Sequence, residues 1–297
     1  MSQMNLDILR ERARIVSAIR RFFDGQGFVE VETAVRIPAP APEEHIDCPP
    51  VVGGGYLRAS PELQMKKLLA EGMDRIYQIG PCFREGERGS RHSPEFTMIE
   101  WYRRNATYLD IAEDLKSLVF GLMSSDGRDF RRETEDGNHP FKTLCVRDVY
   151  LRYAGWDPWA SWDQDRFDFD MATKIEPAIK EMGGGVFLMD YPPQAASLAK
   201  LANLSNLPYA ERWEFYFDGM ELANCFTELC DREEQLSRFR TAKEARKRLK
   251  EADYPIDFEF IDCLPRMKSA AGVALGVDRL VMVLTQTKEI STTRALI

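Results

Sequence analysis

Three spaced segments limit what this chain can fold into more than any other feature: CFREGERGSRHSPEFTMIEWY at 82–102, WEFYFDGMELANCFTEL at 213–229 and GVALGVDR at 272–279. The first reads as strand, polar loop, strand, with Arg84 where the chain leaves the first strand. In the second, Asp218-Gly219 between Phe217 and Met220 is a two-residue hairpin signal that folds two strands onto each other. The third is a glycine-rich turn ending in Arg279. In this order they supply arginines, an aromatic-carboxylate strand and a hairpin with two carboxylates, the groups that an ATP-dependent activation of a carboxylate needs.

With 297 residues, 44% apolar and 30% charged, the chain can bury a sizeable core, and we expect a single domain over 1–297. The formal charge of -8 argues against broad, charge-driven binding to tRNA or DNA. Cysteines at 48, 82, 145, 225, 230 and 263 form no C-x-x-C pair, so we expect free thiols in a reducing compartment and no structural zinc. The opening MSQMNLDILRERAR is charged and lacks an apolar run, and no stretch reaches the ~18 apolar residues of a membrane span. A cytoplasmic protein is expected.

Apolar steps at Leu9, Ala13, Val16, Ile19 and Phe23 predict an amphipathic helix over 5–23 that ends near Gly25 and Gly27. The alternation across 28–33 predicts a strand, and 38–55, with five prolines and three consecutive glycines, a loop open to motion. Helix-forming residues fill 61–72, strands 75–83 and 95–103 follow, helical spacing returns at 107–123, and the polar stretch 124–142 belongs on the surface. Residues 231–251 read as a solvated, charged helix with a narrow stripe of Leu236, Phe239 and Leu249.

Alternate side chains of a strand share a face, so Phe96, Met98, Glu100 and Tyr102 point one way while Thr97, Ile99 and Trp101 point the other. That first face can stack a flat base on Phe96 and receive an ammonium group at Glu100 and Tyr102; a half-buried strand with a structural ion pair is the plainer alternative. If Phe217 pairs with Met220, then Tyr216 faces Glu221 and Glu214 faces Ala223. Glu214 and Glu221 then share a face about 7–8 Å apart, where one magnesium ion could bridge them to phosphate. Two solvated glutamates are the ordinary reading of such a pair. Gly272 and Gly276 would let backbone approach a nucleotide closely, and His92 reads as a phosphate contact rather than a general base.

RHSPEFTMIEWY, SPELQMKKLL at 60–69, ELANCFTEL at 221–229 and GVALGVDR, in this order, resemble the signature motifs of class II aminoacyl-tRNA synthetases, in particular the lysyl branch. The resemblance runs through most of 1–285 and is weaker at 120–180. It implies an α+β catalytic domain, an antiparallel sheet flanked by helices, and a homodimer built on the first motif. Lysyl-tRNA synthetases carry an additional N-terminal anticodon-binding domain; with a motif helix beginning by residue 7, we expect no such domain here. In this the chain looks like the elongation factor P lysine ligases, which attach a lysine-type amino acid, preferentially (R)-β-lysine, to a lysine side chain of elongation factor P.

Carried over by position, the resemblance implies that Arg84 and Arg279 are catalytic, with Arg84 on the α-phosphate and substrate carboxylate and Arg279, with His92, on the polyphosphate. It places ATP also against Glu85, Glu87, Ser93, Phe96, Leu222, Asn224 and Gly276, with Glu214 and Glu221 carrying Mg2+. Substrate contacts fall to Ser60, Glu62, Arg84, Asn224 and Ala274, with Glu100, Tyr102 and Glu228 at the terminal ammonium. Ala274 stands where lysyl-tRNA synthetases have the middle glycine of the last motif, which implies a narrower pocket suited to an amino group on the β carbon. Three positions depart from the pattern: Ala34 follows V-E-T in place of proline, leaving the dimer packing open; Gly86, flanked by Glu85 and Glu87, leaves open which carboxylate reaches adenine; and Ser93 replaces an asparagine. The rival readings are a minimal lysyl-tRNA synthetase, against which the acidic balance weighs, and a silent paralogue that only binds ATP or lysine.

Overall fold

Asn5 starts the first helix because its side-chain oxygen accepts from the backbone N–H groups of Asp7 and Ile8, at 3.1 and 3.3 Å. A computed structural model describes residues 5–125, 141–204 and 206–295. The expectation for 124–142 lies almost wholly outside them. Contacts divide the chain into two units, Met1–Ala106 with Glu228–Ile297, and Thr107–Thr227.

The first unit opens with helix α1 (Leu6–Gly25), ended at Gln26 with Gly27 at φ 74°. Its buried stripe is Ile15, Ile19 and Phe23, whereas Ala13 is exposed. Phe23 packs on Tyr77 and Trp101 with ring centroids 4.9 and 5.0 Å away, so α1 covers the Trp101 face of its strand. The strand expected over 28–33 shrinks to β1 (Val29–Glu30), because side chains satisfy the backbone beyond it: Thr33 donates to Gln78 Oε1 at 3.0 Å, and its carbonyl accepts from Arg58 at 2.9 Å.

Strands β2 (Arg36–Ile37) and β3 (Tyr56–Leu57) pair across the proline-rich loop. That loop is pinned from within the unit. Tyr254 Oη accepts from Cys48 N–H at 2.7 Å, and the Arg246 guanidinium, 1% exposed, donates to the Glu43 and Ile46 carbonyls and to Asp47. Helix α2 (Glu62–Ala70) then leads into β4 (Arg75–Phe83) and β5 (Glu95–Arg104), close to the predicted spans.

The second unit holds α3 (Tyr108–Ser125), β6 (Phe141–Cys145), α4 (Val146–Val149), α5 (Gln164–Asp170), α6 (Glu176–Met182), β7 (Gly185–Tyr191), β8 (Leu201–Leu204), β9 (Leu207–Phe217) and β10 (Met220–Thr227). Its strands run in the order β10-β9-β7-β6, with β8 on β9; all pairs are antiparallel except β6 with β7. The first unit resumes with α7 (Arg232–Leu249), α8 (Phe258–Met267), β11 (Ala270–Gly276) and α9 (Val277–Thr285). Its strand order is β1-β4-β5-β11, antiparallel except for β1 with β4. The fold class is therefore α+β, with antiparallel pairing predominating within each unit among the described residues. On α7, Leu236 and Phe239 are buried as expected, but Leu249 is 51% exposed. The helix is also less solvated than its charge suggests, since Gln235 and Arg246 are buried with them.

Candidate active site

In the first unit, β11 pairs with β5 so that Gly272 stands opposite Tyr102 and Ala274 opposite Glu100. Paired residues share a face, which puts Ala274 beside the carboxylate assigned to the substrate ammonium. Gly272 serves a different purpose from the one its sequence suggested. A Cβ there would run into the Tyr102 ring, so the missing side chain makes room for tyrosine rather than nucleotide. At Gly276 the space is open, with Arg279 side-chain atoms at 3.8–3.9 Å.

Glu100, 1% exposed, accepts from Ser60 Oγ at 2.6 Å and from Tyr102 Oη at 2.7 Å, while Ser60 Oγ itself accepts from Glu62 N–H at 2.9 Å. Burial, and then the Glu62 charge, push Glu100 up to about 7. The Tyr102 hydroxyl rises well above its usual range for the same reasons, burial first and then Glu100. Beside this pair, Lys66 reaches Glu62 on its own helix and Glu228 Oε2 at 2.5 Å. Backbone fixes Glu228, whose N–H donates to the Ala270 carbonyl at 2.9 Å. Burial raises Glu228 against the pull of Lys66; burial opposes the Lys66 charge, but Glu228 and Glu62 outweigh it and hold the ammonium above its ordinary value. Glu228 Oε1 is buried with no hydrogen-bond partner among the described residues.

The arginines lie on the same unit. Arg84 stacks over Phe96 at 5.2 Å, meets Glu87 at 3.4 Å, and keeps a buried Nε without a hydrogen-bond partner among the described residues. Such an orphaned donor suits an anion. Glu85 is exposed, with its N–H tied to the Asp47 carbonyl at 2.8 Å. His92 closes a tight turn with Gly89, and its Nε2 lies 2.7 Å from Arg279 Nη2. Burial, and then the Arg279 charge, lower the imidazole below its ordinary value. Ser93 is buried in the same turn.

In the second unit the hairpin register departs from the expected one. Phe217 pairs with Met220 and Tyr216 with Glu221, but Glu214 faces Asn224 instead of Ala223, because Leu222 is an extra, buried residue in β10. Glu214 and Glu221 still share a face through Tyr216. The bulge turns Asn224 onto that face, where its Oδ1 accepts from Arg212 Nε at 3.0 Å. Glu214 is engaged by Arg212 at 2.7 Å and by Tyr216 Oη at 2.7 Å. Among the described residues no cluster of three or more His, Cys, Asp or Glu is arranged for a metal. Two carboxylates completed by phosphate oxygens and water nonetheless fit magnesium.

Three residues escaped the sequence reading. Lys66 was signalled by its place four residues after Glu62, and Arg212 by its alternation with Glu214. Asp278, 1% exposed, accepts from Arg12 at 2.5 Å and from Thr97 N–H at 2.7 Å, which fixes the turn before Arg279; a partner 266 residues away gave no local signal.

The family described as tRNA synthetases class II (D, K and N) matches residues 1–296. Among curated relatives, an elongation factor P–(R)-β-lysine ligase of Yersinia enterocolitica is 34% identical over 316 residues, covering 95% of this chain and 92% of its own. The ligase of the same name from Proteus mirabilis is 34% identical over 318 residues with the same coverage, and that of Vibrio campbellii 35% over 296 residues, covering 94% and 91%.

Proposed function

The chain belongs to the class II tRNA synthetases of the D, K and N type, and from that premise we propose that it is an ATP-dependent ligase that adenylates a lysine-type amino acid, (R)-β-lysine foremost, and transfers it to a lysine side chain of elongation factor P. The observation that carries this reading is the grouping of half-buried Glu62 with buried Glu100 and Glu228 in the first unit, which suits a substrate bearing two ammonium groups. Further parts of the proposal are a single catalytic domain, a homodimer and a cytoplasmic setting with no role for tRNA. Among the described residues no helix is long and apolar enough to cross a membrane.

In the proposed chemistry the substrate carboxylate attacks the α-phosphorus of ATP in line and the bond to pyrophosphate breaks. The acceptor amine then attacks the acyl carbon, AMP leaves, and the amine proton passes to solvent. Arg84 would hold the carboxylate against the α-phosphate from its place on Phe96, and Arg279, with His92, would take the polyphosphate. Glu85 or Glu87, Ser93, Leu222, Asn224 and Gly276 would complete the nucleotide contacts. Glu214 and Glu221 would hold Mg2+, which neutralises phosphate charge when bound.

Ala274, opposite Glu100, is the proposed selector between α- and β-lysine. Ala274→Gly is expected to shift the ratio of kcat/KM toward α-lysine by ~1–3 kcal/mol; an unchanged ratio would remove this role. The experiment that tests the whole reading is pyrophosphate exchange with Mg2+ and ATP, comparing (R)-β-lysine, α-lysine and no amino acid, followed by transfer to purified elongation factor P or to tRNA. Exchange favouring β-lysine with label on the factor is expected. Transfer only to tRNA would instead indicate a minimal synthetase, and no exchange a binding paralogue.

A further inference from the structure

Lys66 is the one member of the buried acidic group that the proposed reaction does not use. It lies on α2 with a side chain 1% exposed, one turn after Glu62 and 2.5 Å from Glu228 Oε2. Glu100 is satisfied differently, by the neutral donors Ser60 and Tyr102. Three carboxyl groups surround this one fixed ammonium, and one of their oxygens, Glu228 Oε1, is buried without a partner among the described residues. Solvent does not screen charges at this depth, so their sum decides what can enter.

We propose that Lys66 is a positioning residue that sets substrate selection: its ammonium, paired with Glu62 and Glu228, fixes both side chains, orients Glu228 Oε1 toward the ligand, and matches the group to an amino acid with two ammonium groups. The proposal rests on the amino-acid activation described above. Without Lys66 the three carboxylates would face one another, and the group would take up a proton that the substrate must displace. The titratable groups acting on one another here are Glu62, Glu100, Glu228 and Tyr102, with Lys66 as their cation.

The test measures amino-acid KM by pyrophosphate exchange from mildly acidic to mildly alkaline pH for wild type, Lys66→Gln and Lys66→Arg, with calorimetric proton release on (R)-β-lysine binding in two buffers. For K66Q the expected result is a KM raised on the order of 10–100-fold at neutral pH, recovery as pH rises, unchanged kcat and ATP KM, and more protons released per bound amino acid. K66R is expected to keep the wild-type pH profile. A K66Q profile parallel to wild type would overturn the proposal. Should K66Q fail to fold, a K66R profile displaced from wild type would overturn it equally, since packing alone makes the larger arginine the more damaging change. A wild-type enzyme that exchanges with no amino acid overturns the functional reading and this proposal together, whereas normal wild-type exchange with unaltered variants overturns this proposal alone.

Discussion

Glu100 and Glu228 of the first unit are 1% and 2% exposed and are held by a serine, a tyrosine and a lysine, whereas Glu214 and Glu221 of the second are half-buried on a hairpin beside Arg212. Both sets are acidic, but their burial suits them to different chemistry. Carboxylates shut away from water respond to the number of charges a ligand brings, because a mismatch there has no solvent to relieve it. Carboxylates at a partly wetted surface can change partners, from an arginine to a metal that arrives with phosphate, at little desolvation cost. The first arrangement favours discrimination and the second exchange.

The largest effect that would break this contrast is expected at Glu228. Glu228→Gln should lower kcat/KM for the amino acid by about 10²–10³-fold, the range for breaking a buried hydrogen-bonded charge pair, while the KM for ATP stays unchanged in steady-state exchange assays. Equal losses for both substrates would dissolve the distinction. Glu214→Gln or Glu221→Gln should show the reverse split. The Mg2+ concentration for half-maximal exchange should rise about tenfold, equivalent to roughly 1.4 kcal/mol, with amino-acid KM untouched.

A smaller effect is expected on packing. Gly272→Ala forces the Tyr102 ring aside and should cost about 1–3 kcal/mol of stability by overpacking, read by denaturant melting together with a raised amino-acid KM. Gly276→Ala meets only ordinary contacts and should leave stability in place. The smallest effect is on pH dependence. Glu100 titrates up to about 7 in the fold against an ordinary 4.5, so between those values the folded chain binds a proton that the unfolded chain has released. Stability from this group is therefore present at acid pH and lost as pH rises toward about 7. The melting temperature of wild type minus that of Glu100→Gln should fall across that window; a flat difference would place Glu100 in a wetter setting than its burial implies.

Where the pattern was local, the sequence foretold the structure closely. β4 and β5 follow their alternation, the hairpin turns at Asp218-Gly219, and Ser60, Glu62, Glu100, Tyr102 and Glu228 converge in one unit. What could not be read depended on partners far along the chain. The pinning of the proline-rich loop rests on Arg246, some 200 residues from Asp47 and Ile46, in a helix whose charge suggested only solvation. The role of Gly272 depends on the ring that fills its space, and the register of β10 on one buried leucine that no turn rule flags.

That leucine gives the hairpin a parity. Residues of β10 beyond Leu222 face the way they do because one residue has been counted out of step with β9. Drawing Leu222 into the ladder would exchange the two faces of Ala223 through Thr227 at a stroke, sending Asn224 to the side where Trp213 now points and Cys225 to the side of Glu214, whereas deleting Leu222 would remove the bulge and leave Ala223 opposite Phe215 and Asn224 opposite Glu214. Homologous strands should therefore tolerate loss of the bulged residue itself but not of a single residue within the paired ladder, as a reading frame tolerates misspelling but not a dropped letter.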